Sequence, residues 1–389
     1  MSTKKVVFSL INKKWLLTGI GLFVGTAVVG LLNLVNKETD FESYVYKPDL
    51  TMVDVIKNAR TKTTVGTLAE KYRDLKVIDV HSHDGPNIEF VKPIWDEFFI
   101  DKIAIFGKVS EPAAMGDDQK SWRAFLKSTE RYYPFFSGFD MHSEEGIAMV
   151  RKNLEQGYMG VGEVIAASTY SDVVSKVAWK GKDALDGYLS DVYALCAEYK
   201  VPILLHIDPL ASAQVSVLQE ALQKHPDTNF ILAHGNVGES TKQVEILKKL
   251  LESHDNLYID FLAGYSVKSK SEMDRYIPLM EQFPSRFFLS TDSGYGLSSL
   301  AFAYEAIYEV IDRLTPEAAI KIAFENFEYL MENQPPTKTQ IEKLNQLLDE
   351  TKKSIEGLQV NKRMAAELIV ELEREKRTKK QEKAMSPSR

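Results

Sequence analysis

Short apolar runs alternate with amphipathic stretches from residue 76 to residue 293 of this 389-residue chain. The runs are rich in β-branched and aromatic residues, and there are eight of them: 76–83, 102–109, 134–143, 157–168, 202–208, 229–236, 256–263 and 286–293. Between them, residues 144–156, 183–199, 211–224 and 243–253 carry apolar side chains at helical spacing. Such alternation predicts crossover helices between parallel strands. Eight strands in this order over about 250 residues predict a (β/α)8 TIM barrel, an α/β fold.

A different pattern precedes the barrel, where residues 15–36 form a run without a single charged side chain. A membrane-spanning helix needs about 20 apolar residues, so the run predicts an N-terminal transmembrane helix. Lysines 4, 5, 13 and 14 lie before it and a mixed-charge segment follows it. This bias predicts a single-pass protein with residues 1–36 as cytoplasmic N-terminus and anchor, and with the barrel on the non-cytoplasmic side. A cleaved signal peptide is the alternative.

The pattern divides the rest of the chain into three parts. Residues 37–75 read as a linker with some helical content, residues 76–335 as the barrel and residues 336–389 as a helical tail. The segment 111–132 is longer than a tight connection and long enough to cover the barrel mouth.

The tail is rich in Lys, Glu and Gln and carries an interrupted heptad pattern. Positions a and d of one register hold Ile341, Leu344, Leu348, Ile355, Leu358, Ala365, Ile369 and Leu372. This register predicts a coiled coil, and with it a homo-oligomer or a helix docked on a partner. A solvated amphipathic helix, weakened by Gly357, is the alternative, and residues 373–389 read as a disordered basic tail.

Composition narrows the classes of function. The formal charge is −7, from 48 Lys and Arg against 55 Asp and Glu. Proteins that bind nucleic acid usually carry excess positive charge, so the composition excludes a nucleic-acid partner of that kind. Cys196 is the single cysteine, and its apolar neighbours predict core packing. Neither a disulfide framework nor a thiolate metal cluster can form.

Residues that bind metals stand at the ends of five predicted strands. The first strand ends in His81 and His83, whose i, i+2 spacing places both imidazoles on one side. Later strands end in Glu163, His206, His234 and Asp292. Taken singly, each of these residues is more often a hydrogen-bonded core residue or a helix cap. Together they follow buried aliphatic residues at the carboxyl ends of barrel strands, where convergence on a cation offsets the cost of burial.

The other histidines do not share this setting. His225 precedes a proline and His254 lies in a polar turn, so both are predicted to be surface residues. His142 follows the third predicted strand, where it could line the mouth or lie on the surface.

Several motifs in residues 76–330 resemble the amidohydrolase superfamily, in particular its amidohydrolase-related branch, also called amidohydrolase 2. Asp79-Val80-His81-Ser82-His83 resembles the family's D-x-H-x-H motif, and Leu289-Ser290-Thr291-Asp292 resembles its closing strand. His225-Pro226-Asp227, followed by residues 230–235, resembles the stretch that ends in His-Gly. Asn326 fits the asparagine of the terminal helix.

The resemblance implies a divalent metal, usually zinc, held by His81, His83, His206 and Asp292. Some family members carry a carboxylated lysine on the fourth strand, where this chain has Glu163. A glutamate bridges two cations in the deoxyribonuclease-like branch, so a second ion on His206 and His234 is one alternative. Decarboxylase-like members hold one metal and leave the histidine of the sixth strand free for the substrate. One or two ions therefore remain open.

The function implied is metal-dependent hydrolysis of an amide, ester or phosphoester-type bond in a small molecule. A metal lowers the pKa of bound water, Asp292 takes the proton, and His234 stabilises the developing oxyanion. Asp84, directly after the histidine pair, either orients a ligand imidazole or lies on the surface. The aromatic residues that either line an apolar pocket or pack near the mouth are Tyr170, Tyr295, Trp95 and Phe98. The alternatives are a non-oxidative decarboxylase or hydratase and an inert membrane-anchored scaffold. A cluster of arginines for a substrate carboxylate is absent from the predicted strand ends, and Arg123 is the nearest candidate.

Overall fold

A computed structural model describes residues 42–62, 66–238, 240–266, 270–294, 299–355 and 357–385. The predicted transmembrane segment 15–36 lies outside these residues. Within the described ranges, no helix combines the length and the apolar character that crossing a membrane requires.

All eight predicted strands form one parallel sheet, in sequence order. The barrel strands are β2 (Ile78–Ser82), β3 (Lys102–Ile105), β4 (Tyr132–Phe136), β5 (Gly160–Ser168), β6 (Ile203–Asp208), β7 (Phe230–Leu232), β8 (Leu257–Leu262) and β9 (Phe287–Ser290). Between β9 and β2 the closure consists of an isolated bridge from Ser82 to Ser293. The sheet is thus a nearly closed (β/α)8 barrel, and the predicted fold class is confirmed for the barrel.

Buried β-branched and aromatic side chains explain why these segments are strands. Every residue of β4, β5 and β9 is buried, as parallel strands covered on both faces require. One continuous core joins the strands to the surrounding helices. Cys196 is buried in this core, and so are Trp95 and Phe98, two aromatic candidates for the pocket lining.

Helices surround the barrel and connect its strands. They are α1 (Met52–Thr61), α2 (Leu68–Lys71), α3 (Ile88–Glu97), α4 (Ala114–Lys127), α5 (Glu144–Gln156), α6 (Leu189–Glu198), α7 (Ser212–Lys224), α8 (Ser240–Ser253), α9 (Ala263–Ser266), α10 (Lys270–Gln282), α11 (Leu300–Arg313), α12 (Pro316–Ile320), α13 (Asn326–Glu332), α14 (Lys338–Thr351) and α15 (Lys362–Met385). Local signals set their ends: Ser143 caps α5 at its start, and Gly157, with φ of 114°, ends it.

The segment 111–132 is not a cover for the mouth, so that prediction is wrong. It forms α4, a crossover helix that packs against β4, and Phe125 on this helix is fully buried. Arg123 lies on α4 as well, away from the residues that line the cavity at the mouth. The connection is long because it contains a complete crossover helix, whose apolar side chains recur at helical spacing.

The region predicted as a linker holds α1 and α2 against the barrel. The Arg60 guanidinium donates to the carbonyl oxygens of Ile311 and Leu314 around the end of α11, and Tyr72 donates to Asp312. Just before it, β1 (Glu42–Ser43) pairs in parallel with β10 (Gln359–Val360). Residues 42–75 are therefore in contact with the barrel and with the C-terminal segment.

The C-terminal segment forms a helical hairpin and not one continuous helix. α14 ends at Thr351, Lys352 adopts a left-handed conformation with φ of 56°, and α15 then packs back on α14. The single heptad register from Ile341 to Leu372 is therefore wrong, because the turn between the helices interrupts it. Leu344, Leu347 and Ala366 are buried within the chain. Whether the hairpin also mediates an oligomer stays a prediction.

Candidate metal centre

Four predicted ligands meet at the carboxyl end of the barrel. His81 and His83 lie at the end of β2, Glu163 lies in β5, and Asp292 follows β9. The Nε2 atoms of the two histidines are 3.1 Å apart. Asp292 Oδ1 lies 3.3 Å from both, and Glu163 Oε2 lies 3.6 Å from His81 and 3.3 Å from His83. All four side chains are buried. We refer to them as the first ligand group.

Hydrogen bonds on the far side of each ring define where the lone pairs of the histidines point. His83 Nδ1 lies 2.5 Å from the carbonyl oxygen of Gly107, which only accepts, so Nδ1 carries the proton. His81 Nδ1 donates to Asp260 Oδ2 at 2.7 Å. In the neutral rings, both Nε2 lone pairs then face each other and two carboxylate oxygens. Such an arrangement repels itself unless a cation or additional protons occupy the centre.

The spacing of the donor atoms fits a metal ion. In a tetrahedral zinc site with bonds of about 2.0–2.2 Å, ligand atoms lie roughly 3.3–3.5 Å from one another. Five of the six separations among these atoms, namely those that involve a histidine, range from 3.1 to 3.6 Å. By chemistry and by spacing, the first ligand group therefore fits a divalent cation of the zinc type.

A second group of donors shares Glu163. Its Oε1 atom lies 2.9 Å from His206 Nδ1 and 3.0 Å from His234 Nε2, while Oε2 faces the first group. His206, His234 and Glu163 form a set that could hold a metal, as do His81, His83 and Glu163. The structure thus brings all six predicted ligands together. It places His206 beside Glu163 and His234, and not in a four-ligand set with His81, His83 and Asp292.

Backbone geometry turns the ligands inward. His234 and Asp292 have φ values of 36° and 47°, a region that non-glycine residues enter rarely and often at functional sites. Gly162, with φ of 137°, precedes Glu163, and a Cβ atom there would lie 2.7 Å from the carbonyl oxygen of Leu204. Glycine at position 162 is therefore required for the close contact between β5 and β6 that carries Glu163 to the centre.

Charges within the centre outweigh the effect of burial on its pKa values. Burial lowers the pKa of His81, but the Asp292 and Glu163 carboxylates raise it well above the ordinary histidine value. For His206, Asp208 and Glu163 raise the pKa to about 9 against the same effect of burial. Burial raises the pKa of Glu163, yet the neighbouring imidazoles bring it well below its usual range. Without a metal, protons therefore compensate the carboxylates.

Sequence reasoning missed the residues that orient the ligands. Asp260 in β8 accepts from His81 Nδ1 and from the backbone N–H of His234 at 3.1 Å. Asp208, at the end of β6, lies 2.9 Å from His206 Nε2. A carboxylate within the apolar run 256–263 was the signal available for Asp260, and the i, i+2 spacing from His206 was the signal for Asp208.

Other candidates lie outside the two ligand groups. Asp84 is buried, but the bonds that hold the ligand imidazoles come from Asp260 and Gly107. His142 is exposed, and its ring lies within hydrogen-bond distance of the Lys180 carbonyl oxygen. The prediction that His254 is a surface residue is wrong, since only 6% of it is exposed.

Two other residues of the motifs have structural roles. Asp79 accepts from Thr291 and from Tyr304, and so joins β2 to the end of β9; burial raises its pKa to about 6. Asn326 donates to the carbonyl oxygens of Pro284 and Phe287 at the start of β9.

A cavity of about 590 Å³ opens beside the second group. Glu163, His206, His234 and Asp292 line it together with Tyr170, one of the aromatic candidates, which is exposed. Tyr295, another of those candidates, lies outside the described residues. The predicted ligands are therefore accessible from a pocket of the size that small molecules use.

Solved structures are similar to this chain at low sequence identity and with TM-scores below 0.5. An uncharacterised TIM-barrel protein from Bordetella bronchiseptica is 16% identical, with a TM-score of 0.49, over 67% of this chain and 99% of that one. A probable 2-pyrone-4,6-dicarboxylic acid hydrolase from Acinetobacter baumannii is 13% identical, with a TM-score of 0.49, over 66% and 98%. For 2,6-dihydroxybenzoate decarboxylase from Rhizobium the identity is 12% and the TM-score 0.46, over 66% and 98%. Similarity at this level says nothing about the reaction.

No curated protein sequence matches the chain. A family model described as amidohydrolase does match, over residues 106–315, which is more than half of the chain. The matched part includes Glu163, His206, His234 and Asp292, and it begins after the His81 and His83 pair. Members of this family are generally enzymes, either hydrolases or decarboxylases, that bind divalent metal. The chain belongs to the amidohydrolase family.

Proposed function

We propose that the protein is a metal-dependent hydrolase with a centre for one or two divalent ions. His81, His83, Glu163 and Asp292 would hold the first ion, and Glu163 would bridge to a second ion on His206 and His234. The observation that carries the proposal is the set of separations of 3.1–3.6 Å that join the donor atoms of the first group. Zinc is the proposed metal, because imidazole and carboxylate ligands at tetrahedral spacing suit it.

The bound cation would supply an activated water and polarise the oxygen of an amide, ester or phosphoester-type bond. Asp292 lines the cavity and lies against both histidines of the first group. Burial raises its pKa, but His81 and His83 lower it below the ordinary value, so its carboxylate is ionised and able to accept a proton. His234 also lines the cavity, where it would stabilise the oxyanion or bind the second ion.

A decarboxylase on the same barrel is the alternative within enzymes. That reaction calls for a cationic side chain near the substrate carboxylate. Among the described residues that line the cavity, Lys242 is the single lysine or arginine. Lys242 is exposed at the start of α8, so its presence does not distinguish the two reactions. No arginine is among the described lining residues, and hydrolysis therefore stays the proposal.

Location and assembly are proposals of a separate kind. The uncharged run 15–36 supports attachment to a membrane through a single segment, with the barrel on the non-cytoplasmic side. A homo-oligomer through the C-terminal hairpin is also proposed. The heptad position Ile369 would supply part of the contact, since its side chain is only half-buried within the chain.

Metal content by elemental analysis tests the hydrolase proposal. We expect one or two zinc-like ions per wild-type chain, fewer in Asp292→Asn and none in the His81→Ala/His83→Ala variant. His142→Ala is the matched control, because His142 is exposed and lies outside both groups. Its metal content should equal that of the wild type. A wild-type protein that is metal-free and binds no zinc on reconstitution would contradict the proposal and favour the inert scaffold.

Hydrolysis is then tested with the metal-loaded protein on small amides, esters and phosphoesters. Loss of turnover in Asp292→Asn, by roughly a hundredfold or more, is expected for a proton acceptor in the reaction. Carbon dioxide release from carboxylate substrates without any hydrolysis would instead support the decarboxylase alternative.

A further inference from the structure

The cavity beside the second ligand group is mainly apolar away from the proposed metal ions. Val174, Leu210 and Ile246 line it on different elements: the loop after β5, the loop after β6 and helix α8. Among the described lining residues, the charged or titratable side chains outside the two ligand groups are Lys242, Tyr170, Tyr265 and Asp208, the last of which is bonded to His206. A substrate that fills this space would therefore meet mostly aliphatic walls.

Two large apolar side chains at the rim of the cavity are exposed. Tyr170 is 81% exposed and Val173 is 56% exposed, and both line the cavity from the loop that follows β5. Val174, next to them, is buried in a small separate cluster with Val109 and Ile165. The cluster attaches the loop to the barrel and leaves Tyr170 and Val173 facing the opening. Exposed apolar groups beside a pocket are typical of a surface that is covered by a ligand.

The same loop is bonded to the proposed centre. The Asp208 carboxylate accepts from the backbone N–H groups of Thr169 and Tyr170 at 3.0 and 3.3 Å, and from that of Ser171 at 3.2 Å. Its Oδ2 atom also lies 2.9 Å from His206 Nε2. The rim is therefore held at a defined distance from the second ligand group, as a specificity wall next to a reacting bond requires.

We propose that this cavity binds an apolar acyl or aryl group adjacent to the bond that is cleaved, with Tyr170 and Val173 as specificity-determining residues. The proposal rests on the proposed hydrolase function for the cleavage but not for the binding. A cavity of about 590 Å³ has room for a chain of several methylene groups or for an aromatic ring. Hydrophobic contact with the rim would remove the exposed side chains from water.

Binding is tested with N-phenyl-1-naphthylamine, a neutral apolar dye that becomes fluorescent when it leaves water. The full chain is titrated as wild type, Val173→Asp and Tyr170→Ser. Each variant is expected to raise the Kd for the dye about fivefold or more, because it removes apolar contact at the rim. Both residues are exposed, so the variants should retain the wild-type circular dichroism spectrum and Tm. Octanamide should displace the dye, whereas acetamide at the same concentration should not.

Leu50→Asp is the matched control, because Leu50 is 76% exposed and does not line the cavity. Its dye Kd should equal that of the wild type. No dye binding to the wild type, or equal weakening by Leu50→Asp, would overturn the assignment of the cavity. Displaceable dye binding by a protein that hydrolyses nothing would support the cavity and contradict the hydrolase function. Hydrolysis of short and long acyl amides at equal kcat/KM would overturn the proposed substrate class alone.

Discussion

Asp260 illustrates how one buried carboxylate orients two candidate ligands. It accepts from His81 Nδ1 at 2.7 Å and from the backbone N–H of His234 at 3.1 Å. The first bond keeps the His81 proton on Nδ1 and directs the Nε2 lone pair to the centre. Carboxylates in this position raise the basicity of a ligand histidine and its affinity for the metal.

Asp260→Asn is therefore expected to lower zinc affinity about 10–100-fold, since the amide cannot polarise the ring as a carboxylate does. Competition with a chromogenic chelator measures the change. The control is Asp255→Asn, because Asp255 is exposed and precedes the same strand. An unchanged zinc affinity in Asp260→Asn would show that the contact with His81 is not needed for binding.

A second buried carboxylate lies outside the centre. Asp118 on α4 accepts from the backbone N–H of Gly138 at 2.8 Å and from that of Ser137 at 3.3 Å. Burial nevertheless raises its pKa to about 8 from the ordinary value of 3.8. The folded state therefore binds a proton that the unfolded state has already released between these pH values. Stability from this group falls as pH rises from about 4 to about 8 and is level above that.

Asp118→Asn should remove this dependence, because an amide does not ionise, and its single oxygen can still accept the shorter of the two bonds, from the Gly138 N–H. The Tm difference between variant and wild type is expected to increase in favour of the variant from pH 5 to pH 8, as measured by thermal unfolding. Asp117→Asn serves as control, because Asp117 is half-buried on the same helix and forms an ion pair with Lys120. A Tm difference that is constant with pH would contradict the prediction.

Among elements, the C-terminal hairpin differs most from its predicted form. Its heptad positions do not lie on one helix, because α14 and α15 fold on each other. The start of α15 is buried, and Lys362 is only 1% exposed. Its Nζ donates to the Tyr199 carbonyl oxygen, and the side-chain amide of Gln340 on α14 donates to the Lys362 carbonyl oxygen. Arg363 next to it pairs with Glu332 of α13. Periodicity alone could not indicate this docking, since it does not identify the partner of an apolar stripe.

Burial lowers the pKa of Lys362 to about 7, below its unfolded value of about 10.5. Between these values the unfolded state binds the additional proton, so stability from this group rises with pH from about 7 to about 10.5. We expect Lys362→Met to raise Tm relative to wild type at pH 6, and to raise it less at pH 9. Lys338→Met, at an exposed position of α14, should show no such trend. An advantage of Lys362→Met that grows with pH would contradict the assigned direction.

The hairpin also decides how an oligomer can be tested. Deleting residues 337–389 would expose the apolar residues that α14 and α15 bury, including Leu344 and Ala366, and would unfold part of the molecule. A substitution at half-buried Ile369, such as Ile369→Glu, keeps the hairpin core in place. Light scattering of that variant is expected to report a smaller species if the proposed oligomer exists, and the same species if it does not.

For the whole molecule, the candidate metal centre connects five strands that are far apart in sequence. Ligands from β2, β5 and β6 and from the residues after β7 and β9 converge on Glu163 and its neighbours. A ligand that binds only the folded state stabilises it by an amount set by its concentration relative to Kd. Chelation of the metal with EDTA is therefore expected to lower Tm by on the order of 5 °C.

The His81→Ala/His83→Ala variant is the control for this measurement, since it lacks two ligands of the first group. EDTA should shift its Tm less than that of the wild type, and added zinc should restore the wild-type Tm but not the variant's. An EDTA-insensitive wild type that contains metal would show that the ions contribute nothing to global stability.

The sequence by itself determined the eight strands, most crossover helices and the six candidate ligands. Strand and helix periodicity depends on which residues are buried along a segment, and the carboxyl ends of parallel strands in a barrel meet at one face. The sequence alone therefore predicted that His81, His83 and Asp292 lie close together. The same reasoning placed Cys196 in the core.

Only the tertiary structure decided the grouping of the ligands, the roles of Asp260 and Asp208, and the folding of the C-terminal segment into a hairpin. Each of these depends on contacts between residues distant in sequence, such as the 179 positions that separate His81 from Asp260. Local periodicity carries no information about such pairs, because it reports the face that a segment buries and not the atoms that meet that face. His206 lies beside Glu163 because β6 pairs with β5, whereas Asp292 follows β9, where the bridge from Ser293 to Ser82 brings it beside the end of β2.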